Sequence, residues 1–280
     1  MGPLFSDRYA DARMRFLVAA AQAGVSDLGA YQNPHTGPLG EVLATDVAWS
    51  GPRDARAVLV TISATHGVEG FCGSAVQADW LQRSQAELLP DGVAALHIHA
   101  LNPHGFAWIR RVNEDGIDLN RNFIDFSKPL AGNSGYDELH SVLLPASIDA
   151  VTLAAADTVI ESYGKKHGAR ALEMAVSGGQ YSHPDGLFYG GTQPCWSRRT
   201  VEAIIDEFDL RARDLVAVVD IHTGLGPFGY GEVICDHPTG SAELLRGRAW
   251  YGDALTEPAL GTSTSVPKTG LLDYGWMDAL

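Results

Sequence analysis

Two histidines and a glutamate follow apolar runs of the kind that form buried strands. His66 and Glu69 come directly after the run 57–64, and His222 comes directly after the run 215–221. The carboxyl ends of strands in an open α/β sheet form a crevice where ligands bind. Zinc accepts imidazole and carboxylate ligands and, in catalytic sites, keeps a further position for water. The arrangement suits zinc, although an H-x-x-E spacing by itself more often reflects an ordinary loop histidine.

A second polar stretch, D-G-I-D-L-N-R-N-F, occupies residues 115–123. It places the amide of Asn120 beside the guanidinium of Arg121, between apolar Leu119 and Phe123. Two polar heads are unexpected in a core strand, because buried polar groups need partners. This stretch is therefore a candidate binding site.

Three motifs occur in a fixed order along the chain: H-G-V-E at 66–69, R-V-N-E-D-G-I-D-L-N-R-N-F at 111–123 and D-I-H-T at 220–223. In this order the sequence resembles the zinc carboxypeptidase superfamily, which includes aspartoacylase-like deacylases. With N-P-H-G-F at 102–106 and G-L-F-Y-G-G at 186–191, it more closely resembles a bacterial branch whose members are mostly uncharacterised. The resemblance covers residues 55–240 and is most specific at D-L-N-R-N-F.

The resemblance implies a role for each matching residue near the metal. Arg111 matches the arginine that polarises the scissile carbonyl and stabilises the oxyanion. Asp118 matches a carboxylate that hydrogen-bonds a zinc-binding imidazole and fixes its tautomer. The implied zinc ligands are His66, Glu69 and His222.

Asn120 and Arg121 match the pair that binds the terminal carboxylate of the substrate, where a guanidinium can bind in bidentate fashion. The resemblance therefore implies a zinc-dependent hydrolase that cleaves an amide or peptide bond beside a free carboxylate. Its substrate would be a peptide or an N-acyl amino acid. An N-acyl amino acid deacylase is an alternative, and a non-catalytic carboxylate- or zinc-binding module is another.

The family mechanism also needs a glutamate general base on a late strand, beyond the third zinc ligand. Glu232 and Glu243 come too early in the sequence, and Glu257 lies in a turn flanked by proline. We therefore expect this glutamate beyond residue 280. On this interpretation residues 1–280 are a single zinc carboxypeptidase-like domain, truncated at its C-terminus and catalytically incomplete.

Other polar residues have competing interpretations. Arg110 competes with Arg111 for the oxyanion role, but the R-x-N spacing to Asn113 favours Arg111. Structural or surface roles are favoured over metal binding for three histidines: His97, His99 and His104. In the Gly- and aromatic-rich loop 177–196, three side chains could contact substrate or simply pack against the domain: Tyr181, His183 and Tyr189.

Composition restricts the class of protein further. The formal net charge of −14 argues against nucleic acid and anionic membranes as partners. No apolar run reaches the roughly 18 residues of a membrane span, and the N-terminus lacks a signal-peptide core, so we expect a cytoplasmic protein. Free thiols are expected for Cys72, Cys195 and Cys235, which are odd in number and lack C-x-x-C spacing. Neither the native metal nor the oligomeric state follows from the sequence.

Alternating apolar runs and helical patterns predict an α/β fold. We expect one domain with a mixed, mostly parallel twisted sheet and helices on both faces, as in carboxypeptidases. The sequence predicts strands at 57–64, 93–101, 215–221 and 230–235 and helices at 6–23, 73–89, 146–176 and 198–213. The segment between the first helix and the first strand is interpreted as turn-rich, because of Pro34, Gly37, Pro38 and Gly40.

Overall fold

The computed structural model describes residues 4–25, 27–83 and 85–280. The chain divides into two compact units. Unit 1 contains Met1–Leu119, Pro194–Gly224 and Asp278–Leu280, and unit 2 contains Asn120–Gln193 and Leu225–Met277.

Unit 1 is built around a five-stranded sheet. Its strands are β1 (Asp27–Thr36), β2 (Val42–Ser50), β3 (Ala57–Ser63), β4 (Val93–His99) and β5 (Leu215–Ile221), in the order β1-β2-β4-β3-β5. The pairs β1–β2 and β2–β4 are antiparallel, whereas β3 is parallel to both β4 and β5. The predicted α/β fold with a mixed sheet is confirmed.

The register of β3 and β5 determines where the predicted ligands begin. Ile62 pairs with Asp220 and Ser63 pairs with Ile221, so the two parallel strands end level with each other. His66 and His222 follow these strand ends within three residues. The sheet therefore delivers both histidines to the same edge, as the sequence predicts.

Helices cover both faces of the sheet in unit 1. They are α1 (Tyr9–Gln22), α2 (Gly70–Gln82), α3 (Pro103–Ala107) and α7 (Trp196–Glu207). On one face, Phe16 of α1 and Leu81 of α2 pack in one apolar cluster with Ala48 of β2. On the other face, the neighbouring Trp49 stacks on Phe208, directly after α7. Each of these large buried side chains contributes about 1.5–3 kcal/mol through burial.

Unit 2 is mostly helical. It contains α4 (Ser134–Leu143), α5 (Ala150–His167), α6 (Ala169–Ser177), α8 (Ala242–Tyr251) and most of α9 (Leu272–Ala279). Two short parallel strands, β6 (Val233–Ile234) and β7 (Leu255–Thr256), form a second sheet. Asp149 caps α5 by accepting hydrogen bonds from the backbone N–H groups of Val151 and Thr152.

Several predicted elements differ from the observed ones. The turn-rich interpretation of the segment before residue 57 is wrong, because β1 and β2 form a long antiparallel hairpin there. Pro34 is tolerated because β1 is an edge strand and its pairing is irregular between Gln32 and Thr36. The helix predicted at 146–176 is interrupted at Gly168, whose φ of 91° ends α5. The strand predicted at 230–235 contains only β6. No described helix is long and apolar enough to cross a membrane.

Candidate metal centre

The side chains of His66, Glu69 and His222 converge in unit 1. Nδ1 of His66 lies 3.0 Å from Oε1 of Glu69, and Nδ1 of His222 lies 2.9 Å from Oε2 of the same carboxylate. The two Nδ1 atoms are 3.2 Å apart. Two imidazoles and one carboxylate thus present their ligand atoms to a single point.

These separations fit a bound zinc ion. In a tetrahedral site with zinc–ligand bonds of about 2.0–2.1 Å, neighbouring ligand atoms lie about 3.3 Å apart. Each imidazole also faces a carboxylate at its other nitrogen, Nε2. If Nε2 of each ring carries the proton, the lone pairs of the two Nδ1 atoms face each other and repel. A cation between the two nitrogen atoms relieves this repulsion. The donor set therefore fits a divalent metal.

The turn that carries His66 and Glu69 is held by backbone packing. Gly67 N–H donates to the carbonyl of Arg111, and Val68 N–H donates to the carbonyl of Arg110. A Cβ atom on Gly67 would lie 2.0 Å from the carbonyl carbon of Gly105, so only glycine allows α3 to approach this closely. Hence the positions of His66 and Glu69 depend on the backbone that packs against the turn as well as on the sequence of the turn itself.

Asp118 connects the metal centre to Arg111. Its carboxylate is fully buried, with Oδ1 3.2 Å from Nε2 of His66 and Oδ2 accepting a hydrogen bond of 2.9 Å from Nε of Arg111. The contact with His66 is close, but it is not a well-aligned hydrogen bond. The structure therefore places Asp118 between the imidazole of His66 and the guanidinium of Arg111.

Arg111 lies beside the ligand cluster. Its Nη1 is 3.7 Å from Oε1 of Glu69, and its side chain is 36% exposed. Since Asp118 fixes the Nε side of the guanidinium, the cation is held in place while its far end stays accessible to solvent. Such a group can stabilise negative charge that develops near the metal.

Asp220 is a functional candidate that the sequence reasoning missed. Its Oδ2 lies 2.7 Å from Nε2 of His222, and its Oδ1 accepts a hydrogen bond of 2.8 Å from the hydroxyl of Thr65. Asp220 and His222 are two residues apart, so they lie on the same side of the extended chain. That spacing within D-I-H-T was the signal that could have identified Asp220.

The charges of the centre shift the pKa values of its members. Burial alone would raise the pKa of Glu69, but hydrogen bonds from His222 and His66 lower it well below its usual range. Burial alone would lower the pKa of His222, but Asp220 and Glu69 raise it well above its usual value. Metal binding therefore requires this imidazole to lose a proton.

Asn120 and Arg121 belong to unit 2. Arg121 is fully buried, and its guanidinium donates to the carbonyls of Asn120 at 2.6 Å and Ser177 at 2.5 Å. The Asn120 side-chain oxygen accepts a hydrogen bond of 2.8 Å from the N–H of Leu272. Both polar heads therefore have protein partners, and their predicted contact with a substrate carboxylate stays a prediction.

The remaining candidates have partners of their own. His97 contacts the hydroxyl of Thr61 at 2.8 Å, and His99 contacts that of Ser74 at 2.9 Å. The side chain of Arg110 is exposed, and only its carbonyl supports the turn at 66–69.

In the loop 177–196, the Tyr181 hydroxyl donates to the carbonyl of Arg121 at 2.7 Å, and Tyr189 is buried. Among the acidic residues weighed as a general base, Glu257 is buried and ion-paired with Arg248.

Two solved structures match the fold of this chain over almost its whole length. Thrombin activatable fibrinolysis inhibitor matches with a TM-score of 0.51 and 13% identity, over 99% of this chain and 66% of that one. Carboxypeptidase A from Helicoverpa armigera matches with a TM-score of 0.51 and 12% identity, over 96% of this chain and 61% of that one. The chain spans less than two thirds of either protein. The chain therefore has a carboxypeptidase-like fold.

The sequence matches the model of one protein family over residues 5–280. The family is described as "Protein of unknown function (DUF2817)", and this chain belongs to it. No curated protein matches the sequence.

Proposed function

We propose that this protein is a zinc-dependent hydrolase that cleaves an amide bond beside a free carboxylate. One observation carries the proposal: the Nδ1 atoms of His66 and His222 and the carboxylate oxygens of Glu69 are separated by distances close to those between the ligand atoms of a tetrahedral zinc site. A bound zinc ion would polarise a carbonyl and lower the pKa of water at such a site. Peptides and N-acyl amino acids are the proposed substrate class.

The side chains around the cluster have proposed roles that match their contacts. Arg111 binds the carbonyl oxygen of the scissile amide and stabilises the charge that develops on it. Asp118 and Asp220 hold the two imidazoles by their Nε2 sides, so both Nδ1 atoms keep their direction. The support for these roles is the set of contacts at 2.7–3.2 Å between the carboxylates and their partners.

Asn120 and Arg121 are the proposed binding groups for the substrate carboxylate. A carboxylate that reaches Arg121 would replace the backbone carbonyls of Asn120 and Ser177 as acceptors. The exchange is favourable because a charge-assisted bidentate pair is stronger than hydrogen bonds to neutral carbonyls.

Metal content tests the first half of the proposal. The purified protein, dialysed against zinc and then freed of unbound metal, should retain zinc in a manner that depends on His66. A His66→Ala variant should lose one equivalent, whereas His167→Ala, at an exposed position on α5, should lose none. Equal zinc content in wild type and His66→Ala would reject the metal centre.

Hydrolysis tests the second half. The zinc-loaded product of the complete gene should cleave peptides with a free C-terminal carboxylate in preference to the same peptides with an amidated C-terminus. Cleavage of N-acyl amino acids but not of peptides would identify a deacylase instead. Saturable binding of a carboxylate ligand with no cleavage of either class would favour the non-catalytic module.

A further inference from the structure

A second group of metal-binding side chains lies entirely within unit 2. His140 is on α4, and His183 and Asp185 are in the loop that follows α6. One possible ligand atom from each of the three lies within 4.8 Å of the others. None of these residues belongs to the motifs used for the proposed hydrolase.

The two imidazoles are already in contact. Their ring centroids are 3.9 Å apart, and the planes differ by 21°. Nε2 of His183 lies 2.8 Å from Oδ1 of Asp137 on α4, and the same oxygen accepts a hydrogen bond of 2.9 Å from the hydroxyl of Ser182. A proton on Nε2 satisfies Asp137 and leaves Nδ1 of His183 with a lone pair, as a carboxylate-held metal ligand requires.

His140 lacks the partners that a purely structural histidine would have. Its Nδ1 is buried, with no hydrogen-bond partner among the described residues. Its Nε2 lies 3.8 Å from Oδ1 of Asp185. That distance is too long for a hydrogen bond but is reasonable for two ligands of one ion, which lie about 3.0–4.2 Å apart when each bond is about 2.1 Å.

We propose that His140, His183 and Asp185 form a second metal site, which takes a divalent ion of the zinc class. Imidazole nitrogen with one carboxylate favours zinc or a neighbouring late transition metal over magnesium or calcium, which prefer oxygen ligands alone. The side chains are accessible to an incoming ion, since His140 is 21% exposed, His183 is 27% exposed and Asp185 is 80% exposed.

The site requires a local rotation before it can close on an ion. The lone pairs of two nearly parallel imidazoles do not point at one another, so one ring must turn about its side-chain bonds. His183 is the ring that turns, because it lies on a loop while His140 lies on α4, and it turns about the contact between its Nε2 and Asp137, which it keeps. Closing on the ion would then attach the loop to the helix through direct bonds, which stabilises the folded loop by mass action.

The second site can be tested alone in the His66→Ala variant, which lacks the first metal centre. Metal-free His66→Ala protein is titrated with Co²⁺ and with Zn²⁺, and bound metal is counted after gel filtration. One equivalent should remain in His66→Ala, and none in the double variant His66→Ala/His183→Ala. The matched double variant His66→Ala/His167→Ala should keep its equivalent, because His167 is exposed on α5.

Asp185→Asn is a second variant that should leave the fold intact, because this side chain is largely exposed. In the His66→Ala background it should weaken Zn²⁺ binding by at least about tenfold while the far-ultraviolet circular dichroism stays unchanged. Equal metal content in His66→Ala and His66→Ala/His183→Ala would overturn the second site. All of these variants carry His66→Ala and lack the first metal centre, so this result would not bear on the proposed hydrolase function.

Discussion

Each imidazole of the candidate metal centre has a carboxylate at its Nε2 atom. For His222 this carboxylate is Asp220, which is itself held by the hydroxyl of Thr65. A carboxylate in this position fixes the ring orientation and strengthens the nitrogen as a ligand. The imidazole of His222 is therefore supported from two neighbouring strand ends, because Asp220 lies at the end of β5 and Thr65 follows β3.

Asp220→Asn should weaken zinc binding by about 10–100-fold, because the amide holds the ring less firmly and donates no negative charge. Competition against a coloured zinc chelator measures the change. Asp214→Asn is the matched control, since Asp214 precedes the same strand and pairs with Arg56 in an exposed ion pair. If the two variants bind zinc equally well, Asp220 has no role in holding the metal.

Arg121→Lys should raise KM for substrates with a free carboxylate by about tenfold or more, while zinc content stays unchanged. Lysine keeps the charge but cannot offer the planar fork that spans two acceptors. Arg110→Lys is the control, because the Arg110 side chain is exposed. Loss of zinc in Arg121→Lys would contradict the carboxylate role and tie this guanidinium to the metal centre.

Motif order was sufficient to predict which ligands meet, because strand ends in a parallel sheet share an edge. It could not reveal the partners of Arg121. Its acceptor on Ser177 lies 56 residues further along the chain, and only the folded loop brings the two together. Asp220 was missed for a different reason, since it lies within the apolar run 215–221 that predicts β5.

Among the elements, the approach of α2 to β3 positions Glu69 relative to the sheet. Gly70 and Gly73 face the sheet side of the helix, where a Cβ on Gly73 would lie 2.6 Å from Cβ of Ser63. A Cβ on Gly70 would lie 2.7 Å from Cβ of Ala64. Two glycines thus let the helix that follows Glu69 pack directly against the strand end that precedes His66.

Gly73→Ala should lower the free energy of unfolding by about 1–3 kcal/mol, because the added methyl group overpacks against Ser63. The helix propensity of alanine recovers only part of that loss, about 1 kcal/mol. Urea denaturation measures the difference. Val76→Ala, at a half-exposed position on the same helix, should change it by about 0.5 kcal/mol or less. An equal effect of the two substitutions on the free energy of unfolding would show that the close contact between Gly73 and Ser63 does not determine the stability.

Two buried histidines on β4 predict how stability changes with pH. Burial lowers the pKa of His97 to about 4 and that of His99 to about 3. Both values lie below the usual 6.5, so the unfolded chain binds more protons than the folded one as the pH falls. Stability should therefore decrease progressively from pH 6.5 toward pH 4. His97 alone accounts for about 3 kcal/mol of this loss.

In His97→Gln the free energy of unfolding should fall less steeply as the pH decreases, with a slope smaller by up to about 1.4 kcal/mol per pH unit. The free energy of unfolding, measured in urea at several pH values between 7 and 5, gives the slope. His167→Gln, on the exposed end of α5, should leave the slope unchanged. A slope that is the same in wild type and His97→Gln would show that His97 is not held neutral in the folded state.

The elements that the sequence predicted well are those with a continuous apolar run, such as β3 and β5. The hairpin of β1 and β2 was missed because Pro34 and several glycines signal turns locally. Tertiary pairing overrides that signal: β2 pairs with β4 on its other side, which makes it an interior strand of the sheet. Gly168, by contrast, ends α5, but the helical pattern continues on both sides of it, so the sequence predicts one long helix.

At the scale of the whole chain, the D-L-N-R-N-F motif is divided between the two units. Asp118 and Leu119 belong to unit 1, and Asn120 and Arg121 belong to unit 2. Within unit 1, Asp118 contacts the imidazole of His66, whereas Arg121 donates a hydrogen bond to the carbonyl of Ser177 in unit 2. Substitutions in the two halves of one continuous motif should therefore separate into effects on metal binding and effects on unit 2.

The net charge of −14 should influence how a carboxylate substrate approaches the protein. The average field repels an anion, and added salt screens that repulsion. The value of kcat/KM for a substrate with a free carboxylate should therefore rise about two- to tenfold as ionic strength increases from about 0.01 M to 0.15 M. The same peptide with an amidated C-terminus provides the control and should show no such rise. A fall in kcat/KM with salt would mean instead that the local cations Arg111 and Arg121 dominate the field that the substrate meets.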